Sequence, residues 1–460
     1  MNAPFPPNLF SGRRFAVLGL GRNGLPAARA LAAMGAEVTA WDDQEAVRTA
    51  ARDSGIELRD PLAGDFVFDA LVLSPGIPHT FPAPHPAALS AREAGVPILC
   101  DAELLFAAVR ACGSHARFVG ITGTNGKSTA TALLEHILRE SGQLAVAGGN
   151  LGPPALALPL RPDEGIYVLE MSSYMLERIA SLRFDIAAML NLSADHIERH
   201  GDMAGYVSAK RAIFAGQQAN DVAVVGVDDS ESRAMADWAR THPARVVTVS
   251  GSRSADLWCE AGILRDERGP ILNMAEALAL PGEHNAQNAA AAAAMAFALG
   301  ATRAELAPGI ASFPGLPHRQ ERIGTVDGVL FINDSKATNA DAAGRALSCY
   351  ERVVWIAGGI GKAGGIVPLA PLFPRIARAL LVGQDAPVFA ATLAAYRVPH
   401  EIVGTLEAAV PAALDAARAT GASVILFSPA AASFDQFSGF ETRGERFAQR
   451  VAGLARGEAA

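Results

Sequence analysis

The sequence predicts an α/β protein of three domains, each with a mostly parallel sheet covered by helices. Short apolar runs alternate with helical stretches over the first hundred residues, and a second strand runs into a glycine-rich turn near residue 120. A third α/β pattern follows the Pro/Gly-rich stretch at 313–317, which suits a linker. Alternation of strands and helices is typical of parallel sheets, because the crossover between parallel strands usually contains a helix. We therefore expect domains at 1–110, 111–315 and 316–460.

The individual strands follow from short apolar runs that end in turn residues. In the first domain we expect strands at 15–19, 37–41, 70–73 and 97–99, and a helix at 25–35. In the second domain we expect strands at 118–121, 166–170, 186–192 and 222–227, and a helix at 128–141. In the third domain we expect strands at 329–333, 353–357, 379–382 and 424–427.

Composition and charge exclude several classes of protein. The chain has 460 residues, of which 50% are hydrophobic, and a net charge of −8. It can build large cores, and its acidity is not typical of a general nucleic-acid binder. The four cysteines form no CxxC pair, which is typical of reduced thiols in a cytoplasmic protein. We expect no signal peptide at 1–7 and no membrane insertion, because the longest uncharged stretch, between His284 and Arg303, is mostly alanine.

The first glycine-rich loop has the dinucleotide-binding pattern GxGxxG at Gly19, Gly21 and Gly24. It follows a predicted strand and opens a helix, and Asp42 and Asp43 end the next strand. Glycines let the backbone approach a diphosphate, and the helix N-terminus supplies amide donors. The pattern leaves three readings open: NAD or FAD, a UDP-sugar or other nucleotide diphosphate, and a tight turn without a ligand.

The second glycine-rich loop predicts ATP binding. The strict Walker A pattern fails, because Ile121 stands where its first glycine is required. The remaining motif GTNGKST at 123–129 is intact between a strand and a helix. Such a loop places amides and a lysine on the phosphates and a hydroxyl on Mg²⁺. Two phosphate loops in separate domains favour an enzyme that uses ATP to activate a bound substrate.

The motifs, taken together and in order, resemble those of the Mur ligases over the whole chain. They are GTNGKST (123–129), GGNLG (148–152), LEMSS (169–173), NLSADH (191–196), AK (209–210), GEHNAQN (282–288), GLPHR (315–319) and NDSKATN (333–339). The segment SPAAASFDQF at 428–437 resembles the members of the family that add D-glutamate.

The resemblance implies a Rossmann-like N-terminal domain for a UDP moiety, a central P-loop ATPase domain, and a C-terminal domain with a Rossmann-like sheet for an amino acid. It also implies an ATP-dependent ligase, in cytoplasmic peptidoglycan precursor synthesis, that adds D-glutamate to UDP-N-acetylmuramoyl-L-alanine through an acyl phosphate. The expected cofactors are ATP and two Mg²⁺ ions, and the expected state is a monomer. The residues themselves do not distinguish D- from L-glutamate, because both carry the same charges.

The resemblance assigns catalytic roles to Lys127, Glu170, His196 and Lys210, with Ser128, Glu170, His196 and Lys210 near the metal. By residue pattern alone, Glu170 could instead form an ion pair or cap a helix, and His196 could be an ordinary loop residue. Lys210 has the pattern of an exposed helix cation; its carbamylation is implied by the resemblance alone.

The remaining candidate contacts also come from the resemblance. For ATP they are Gly123, Thr124, Asn125, Gly126, Lys127, Ser128, Thr129, Asn285, Asn288, Arg319 and Asp334. For the UDP substrate they are Arg22, Asn23, Asp42, Asp43, Ser74, Gly76 and Asn150. For glutamate they are Lys336, Thr338, Lys362, Ser433 and Phe440. Two alternatives stay open: Asn285 could cap its helix, and the helical spacing of Phe434, Phe437 and Phe440 favours core packing.

Three other functions compete with this interpretation. A folylpolyglutamate synthase would share the ATPase domain, but the complete N-terminal α/β domain and the segment 428–437 argue against it. A nicotinamide oxidoreductase would explain the first loop and leave the second unexplained. A non-catalytic nucleotide-binding regulator would not need Lys127, Glu170, His196 and Lys210 together.

Overall fold

The computed structural model describes residues 4–63, 67–362 and 364–456, in which helices and strands alternate along the chain. The chain divides into two compact units. The first consists of Met1–Glu276 and Asn285–Phe313, and the second of Ala277–His284 and Pro314–Ala460. The predicted domain boundaries near 110 and 316 stay predictions.

The N-terminal sheet has five parallel strands in the order β3-β2-β1-β4-β5. Its strands are β1 (Arg14–Leu18), β2 (Glu37–Trp41), β3 (Glu57–Leu58), β4 (Ala70–Leu73) and β5 (Ile98–Leu99). Its helices are α1 (Gly24–Ala33), α2 (Glu45–Ala51), α3 (Pro86–Glu93) and α4 (Asp101–Ala111). Alternate residues of β1 enter two core clusters, Phe15 and Val17 on one face and Ala16 and Leu18 on the other. A sheet buried on both faces explains why its strands are continuous apolar runs.

The central sheet has nine strands in the order β14-β13-β12-β11-β10-β9-β6-β8-β7. Its strands are β6 (Arg117–Thr122), β7 (Ala145–Gly149), β8 (Ile166–Glu170), β9 (Ile186–Met189), β10 (Val222–Gly226), β11 (Arg245–Ser250), β12 (Leu257–Glu260), β13 (Ile263–Asp266) and β14 (Gly269–Asn273). The last two strands pair antiparallel, an extension that the sequence analysis missed because these runs are short and mix polar with apolar residues.

The helices of this part are α5 (Lys127–Glu140), α6 (Ser173–Leu176), α7 (Ile197–His200), α8 (Met203–Arg211), α9 (Ser230–Ala239), α10 (Glu283–Ala298) and α11 (Arg303–Ala311). The alanine-rich α10 is buried from Asn285 to Ala296, and small side chains allow this close packing. Within the described part of the chain, no helix is long and apolar enough to cross a membrane.

The second unit has a six-stranded sheet in the order β15-β16-β21-β17-β19-β20 and a two-stranded ladder of β18 and β22. Its strands are β15 (Glu321–Val326), β16 (Val329–Asn333), β17 (Val353–Gly358), β18 (Ile360–Gly361), β19 (Ile376–Val382), β20 (His400–Gly404), β21 (Val424–Phe427) and β22 (Ala431–Ala432). Its helices are α12 (Ala340–Ser348), α13 (Ala386–Ala395), α14 (Leu406–Thr420) and α15 (Phe440–Ala455). Except for the antiparallel β15 at the edge, the large sheet is parallel.

The fold class predicted from the sequence is confirmed, since the chain forms three sheets of mostly parallel strands together with helices. The predicted strands at 37–41, 70–73, 166–170, 329–333 and 424–427 have the observed bounds. The predicted strand at 186–192 ends early, at Met189. The remaining residues of the predicted range, 190–192, lie beyond the strand and lead into the candidate site.

Candidate active site

The second glycine loop connects β6 to α5 and is shaped by tight packing. Gly126 lies at the N-cap of α5 with φ 83°, in the left-handed region. A Cβ there would lie 2.3 Å from Oδ1 of Asn288. The positive φ and this close approach both favour glycine. Nζ of Lys127 donates to the carbonyl oxygens of Gly123 (2.9 Å) and Thr124 (3.0 Å). The lysine is thus held over the turn of its own loop, and buried Ser128 follows it in α5.

Asn191 braces this loop, a role that the sequence analysis missed. Its Oδ1 accepts from the amide of Asn125 (2.8 Å), and its Nδ2 donates to the carbonyl of Asn125 (3.1 Å) and to Oε1 of Gln287 (3.2 Å). Thr124 is held by a second set of contacts, to the carbonyl of Ser193 and to the hydroxyl of Tyr206, both at 3.1 Å. The available signal was an asparagine two residues after the end of the buried strand β9.

Glu170 ends β8 beside the loop with one carboxylate oxygen unpaired. Its residue exposure is 2%. Oε1 accepts from Nδ2 of Asn150 (2.7 Å), whereas Oε2 has no hydrogen-bond partner in the described part of the chain. A buried carboxylate oxygen without a partner is costly unless a cation satisfies it. The structure therefore brings Asn150, which we expected on the UDP-substrate side, next to a candidate metal ligand.

Lys210 is buried, so the expectation of an exposed helix cation is wrong. Its exposure is 1%, and its Nζ donates to Oγ1 of Thr122 (3.1 Å) and to the carbonyl of Gly123 (2.9 Å). The buried residues of α8 are Tyr206 and Lys210, one helical turn apart on the same face. Burial, and then the charge of Lys127, lowers the pKa of Lys210 well below its ordinary value.

His196 stands at the N-cap of α7 in the left-handed region, with φ 53°. Its Nδ1 lies 2.9 Å from the hydroxyl of Tyr174, and its Nε2 lies 3.5 Å from Oδ2 of Asp195. The imidazole is partly exposed and sits between an aromatic hydroxyl and carboxylates. The ring is therefore accessible from solvent.

Asn285 and Asn288 are buried on one face of α10, where Nδ2 of Asn288 donates to Oδ1 of Asn285 (3.1 Å). Because α10 begins at Glu283, Asn285 lies inside the helix and does not cap it. Oδ1 of Asn288 has no hydrogen-bond partner in the described chain. This oxygen packs against Gly126, so the two asparagines lie beside the glycine loop.

The first glycine loop lies where the strand order reverses between β1 and β4, the usual ligand crevice of such sheets. Oγ of Ser74 donates to the carbonyl of Gly19 (2.7 Å). Asp42 accepts from the amide of Leu20 (2.8 Å), so one of its oxygens supports the loop itself. Asp43 instead lies 2.9 Å from Nε2 of His85.

The other candidates on this side differ in their surroundings. Nη2 of Arg22 donates to the carbonyl of Gly152 (2.9 Å), whereas Nδ2 of Asn23 lies 3.5 Å from Oδ2 of Asp101. Gly76 is exposed, and a Cβ there would meet nothing within 4 Å. Its backbone is therefore open to a ligand.

In the second unit, Asp334 is a buried carboxyl at the end of β16. Its Oδ2 accepts from Oγ of Ser428 (2.7 Å), and its Oδ1 accepts from the amide of Gln320 (3.2 Å). Burial raises the pKa of Asp334 to about 7, against the opposing effect of these hydrogen bonds and of the charge of Arg319. Asp334 and Arg319 are thus electrostatically coupled.

The five glutamate candidates all follow strands of the second unit at their carboxyl ends. Lys336 and Thr338 follow β16, Lys362 follows β17 and β18, and Ser433 and Phe440 follow β21 and β22. Pairing of β18 with β22 brings Gly361 opposite Ala431 and so brings the loops of exposed Lys362 and buried Ser433 together.

The phenylalanines of this region do not form one packed face. Nζ of Lys336 lies 5.0 Å from the ring centre of Phe440, at the start of α15. Phe437 packs against a core cluster, but Phe434 is 72% exposed. The expectation of core packing is therefore wrong for Phe434, because residues 434–437 form turns and not a helix.

Comparison with known proteins shows the family to which the chain is related. Residues 121–296 match the Mur ligase middle domain. The UDP-N-acetylmuramoylalanine–D-glutamate ligase of Paramagnetospirillum magneticum is 47% identical, with 98% of this chain and 99% of that protein covered. The ligase of the same name from Phenylobacterium zucineum is 48% identical, with 99% of each covered.

Two solved structures share the fold at lower identity. The UDP-N-acetylmuramate–alanine ligase MurC of Thermotoga maritima has a TM-score of 0.59 at 18% identity and covers 96% of this chain and 99% of its own. MurF of Acinetobacter baumannii has a TM-score of 0.59 at 20% identity, with 96% and 91% covered. The fold and the glycine loop are those of the Mur ligases. By its near-full-length relatives, the chain belongs to the family of UDP-N-acetylmuramoylalanine–D-glutamate ligases.

The raised pKa of Asp334 predicts a pH-dependent loss of stability. The pKa of the folded carboxyl is about 7, whereas the ordinary pKa of an aspartate, as in the unfolded chain, is 3.8. Between these values the folded state binds more protons, so its stability falls as pH rises. Asp334→Asn removes this loss, and its melting temperature relative to wild type should rise between pH 4.5 and pH 8, measured by calorimetry. The exposed Asp341→Asn is the control. A constant difference for Asp334→Asn would contradict the prediction.

Proposed function

We propose that this protein joins D-glutamate to UDP-N-acetylmuramoyl-L-alanine in an ATP-dependent ligation, a step of peptidoglycan precursor synthesis. The near-full-length similarity to ligases of that name supports the choice of substrates. In the structure, one observation carries the proposal: Lys127 and Lys210 both donate to the carbonyl of Gly123, with Glu170 beside them. A turn with this charge pattern suits an ATP phosphate chain and its metal.

The reaction needs two displacements. The terminal carboxylate of the UDP substrate attacks the γ-phosphorus of ATP and expels ADP, which gives an acyl phosphate. The neutral amine of glutamate then attacks the acyl carbon, and the tetrahedral intermediate loses phosphate and a proton. Because the first step brings two anions together, Lys127 and the loop amides supply charge compensation. His196, hydrogen-bonded to Tyr174 through Nδ1, is the candidate acceptor for the proton of the amine.

The residues at the loop fit Mg²⁺. Oε2 of Glu170 is a buried oxygen without a partner, and the hydroxyls of Ser128 and Thr129 follow Lys127 in the loop motif. Among the residues that the structure describes, no group of three or more His, Cys, Asp or Glu side chains is arranged so that it could hold a metal ion by itself. Glu170, a hydroxyl and ligand oxygens would therefore hold the ion, in line with Mg²⁺ binding through few carboxylates plus phosphates. Bound Mg²⁺ supplies positive charge to the phosphate oxygens. His196 would lie near a second ion.

We propose that Lys210 is carbamylated. A lysine reacts with CO₂ as the neutral amine and releases a proton, and burial beside Lys127 favours that neutral form. The carbamate carries a negative charge and would be compensated by Lys127 and Mg²⁺. It adds an oxygen donor beside the carboxylate of Glu170.

The two other ligands are assigned to separate parts of the chain. The UDP moiety is assigned to the first glycine loop and the 73–77 loop, where Ser74 already bonds to Gly19. Glutamate is assigned to the carboxyl ends of β16, β17 and β21, where Lys336 and Lys362 can pair with its two carboxylates. The ATP contacts of Asn285, Asn288, Arg319 and Asp334 remain part of the same proposal.

The first loop should bind UDP and not a nicotinamide cofactor. UDP-N-acetylmuramoyl-L-alanine should bind without ATP in a calorimetric titration, and NADH should show no saturable binding. Gly21→Ala should fold normally, because a Cβ there meets nothing within 4 Å, but should weaken the UDP substrate about tenfold or more by blocking the diphosphate. Gly324→Ala, at an equally open position, is the control. Tight NADH binding in competition with UDP would contradict the assignment.

Lys362→Ala should raise the KM for glutamate about ten- to a hundredfold, because it removes a charge-assisted hydrogen bond. The KM for ATP should change little. Phosphate release at varied glutamate measures the effect, with exposed Arg378→Ala in the same unit as the control. A normal glutamate KM in Lys362→Ala would refute this placement of the pocket.

Carbamylation of Lys210 predicts that activity depends on CO₂. Enzyme depleted of CO₂ should lose rate and regain it with bicarbonate, and ¹³C-bicarbonate should give a carbamate NMR signal that Lys210→Ala lacks. Lys210→Ala should be nearly inactive, and acetate should restore part of its rate in a Mg²⁺-dependent way. Because Lys210 is buried, thermal melting of Lys210→Ala checks that the variant is folded. Most of the wild-type turnover in Lys210→Ala would show that the carbamate is not needed.

A further inference from the structure

Arg178 is a buried cation whose hydrogen bonds go almost entirely to one loop. It follows α6 in the central part of the first unit and is 2% exposed. Nη1 donates to the carbonyls of Leu73 (2.9 Å) and Ser74 (3.0 Å), and Nη2 to those of Pro75 (3.4 Å) and Ile77. Nε donates to Nδ1 of His79 (3.4 Å). These five bonds use all five N–H groups of the guanidinium.

The loop that Arg178 holds, residues 73–77, begins at the last residue of β4 and carries Ser74 and Gly76. Four carbonyl oxygens of this loop face the guanidinium, so a residue from the central part of the unit sets its curvature. Ser74 in turn donates to the carbonyl of Gly19 in the first glycine loop. Arg178 thereby connects to both loops at the crevice between β1 and β4.

The residue before Arg178 in the sequence contacts α7, the helix that follows His196. The neighbouring Glu177 accepts from Nη2 of Arg199 (3.1 Å) and lies 3.0 Å from Nδ1 of His200, both in α7. Burial, and then the charge of Arg199, lowers the pKa of Arg178 to about 10, so it is still a cation at neutral pH. The contacts of Glu177 with α7 thus hold the main chain next to Arg178, and the guanidinium of Arg178 binds the 73–77 loop.

We propose that Arg178 is a positioning residue that holds the 73–77 loop in the shape needed to bind the UDP moiety. The inference rests on the proposed function, since that function assigns the loop to the UDP substrate. None of these contacts joins Arg178 to a residue that is a candidate for binding ATP or glutamate. Its loss should therefore act on one substrate and spare the others.

Lysine and methionine substitutions at 178 test this. Lysine keeps the charge but has three donors in place of a planar set of five. The KM for UDP-N-acetylmuramoyl-L-alanine should rise about tenfold in Arg178→Lys and further in Arg178→Met, with a matching loss of affinity by calorimetry without ATP. The KM values for ATP and glutamate, and kcat, should stay within about twofold.

The same substitutions at Arg110 are the matched control. Its Nη1 also donates to two main-chain carbonyls, of Ser114 (2.8 Å) and Ala116 (3.0 Å), away from the candidate site. Arg110→Lys and Arg110→Met should leave all three KM values unchanged. Thermal melting of each variant separates a folding defect from a binding defect.

The possible results are distinct. Equal increases in the KM for ATP and for the UDP substrate, or a lower melting temperature with unchanged KM values, would assign Arg178 to general stability and overturn the inference. So would failure of both Arg178 variants to fold where the Arg110 variants fold. If the wild-type protein does not bind UDP-N-acetylmuramoyl-L-alanine, the proposed function itself is wrong. Wild-type binding with unchanged affinity in Arg178→Lys overturns the inference alone.

Discussion

Two lysine side chains meet at one carbonyl oxygen, and this contact sets the charge around the second glycine loop. Nζ of Lys127 and Nζ of Lys210 each lie 2.9 Å from the oxygen of Gly123. Lys210 is the buried one of the two, and its burial, followed by the repulsion from the charge of Lys127, lowers its pKa. The neighbouring carboxylate of Glu170 adds a buried oxygen that has no hydrogen-bond partner in the described part of the chain.

The use of lysine in this chain follows the same chemistry. The sequence contains 35 arginines but four lysines, and all four, Lys127, Lys210, Lys336 and Lys362, are candidate site residues. Arginine stays charged in proteins, whereas a buried lysine changes its pKa readily and presents a compact charge. Where a buried cation only has to hold main-chain carbonyls, the chain has arginine. Arg178 is one case, and Arg443, which donates to the carbonyls of Ser335 and Ala431, is another.

The candidate residues are gathered by the rule that ligands lie at the carboxyl ends of parallel strands. In the first unit, the loops after β1 and β4 meet at one crevice, and those after β6, β8 and β9 meet at the second glycine loop. In the second unit the loops after β16, β17 and β21 do the same. Each sheet therefore gathers one group of candidate residues, and side chains that brace such a group come from neighbouring strands, as Asn191 braces Asn125.

Features of the fold that depend on contiguous residues could be predicted from the sequence alone. A strand, a glycine turn and a helix are encoded in order, so the α/β class, most strands and both glycine loops could be predicted. The antiparallel β13 and β14 could not, because an edge extension lacks a continuous apolar run.

Contacts between residues that are far apart in the sequence depend on the tertiary fold. Lys210 bonds to Thr122 over a separation of 88 residues, and Arg178 to Leu73 over 105. The burial of a polar helix residue depends on which face another element covers, and the mixed pattern of α8 does not specify that face. Asn150 likewise meets Glu170 because β7 and β8 pair in register, which places Gly149 opposite Glu170. Local order in the chain thus encodes where each loop lies, whereas strand pairing and helix packing decide which side chains share it.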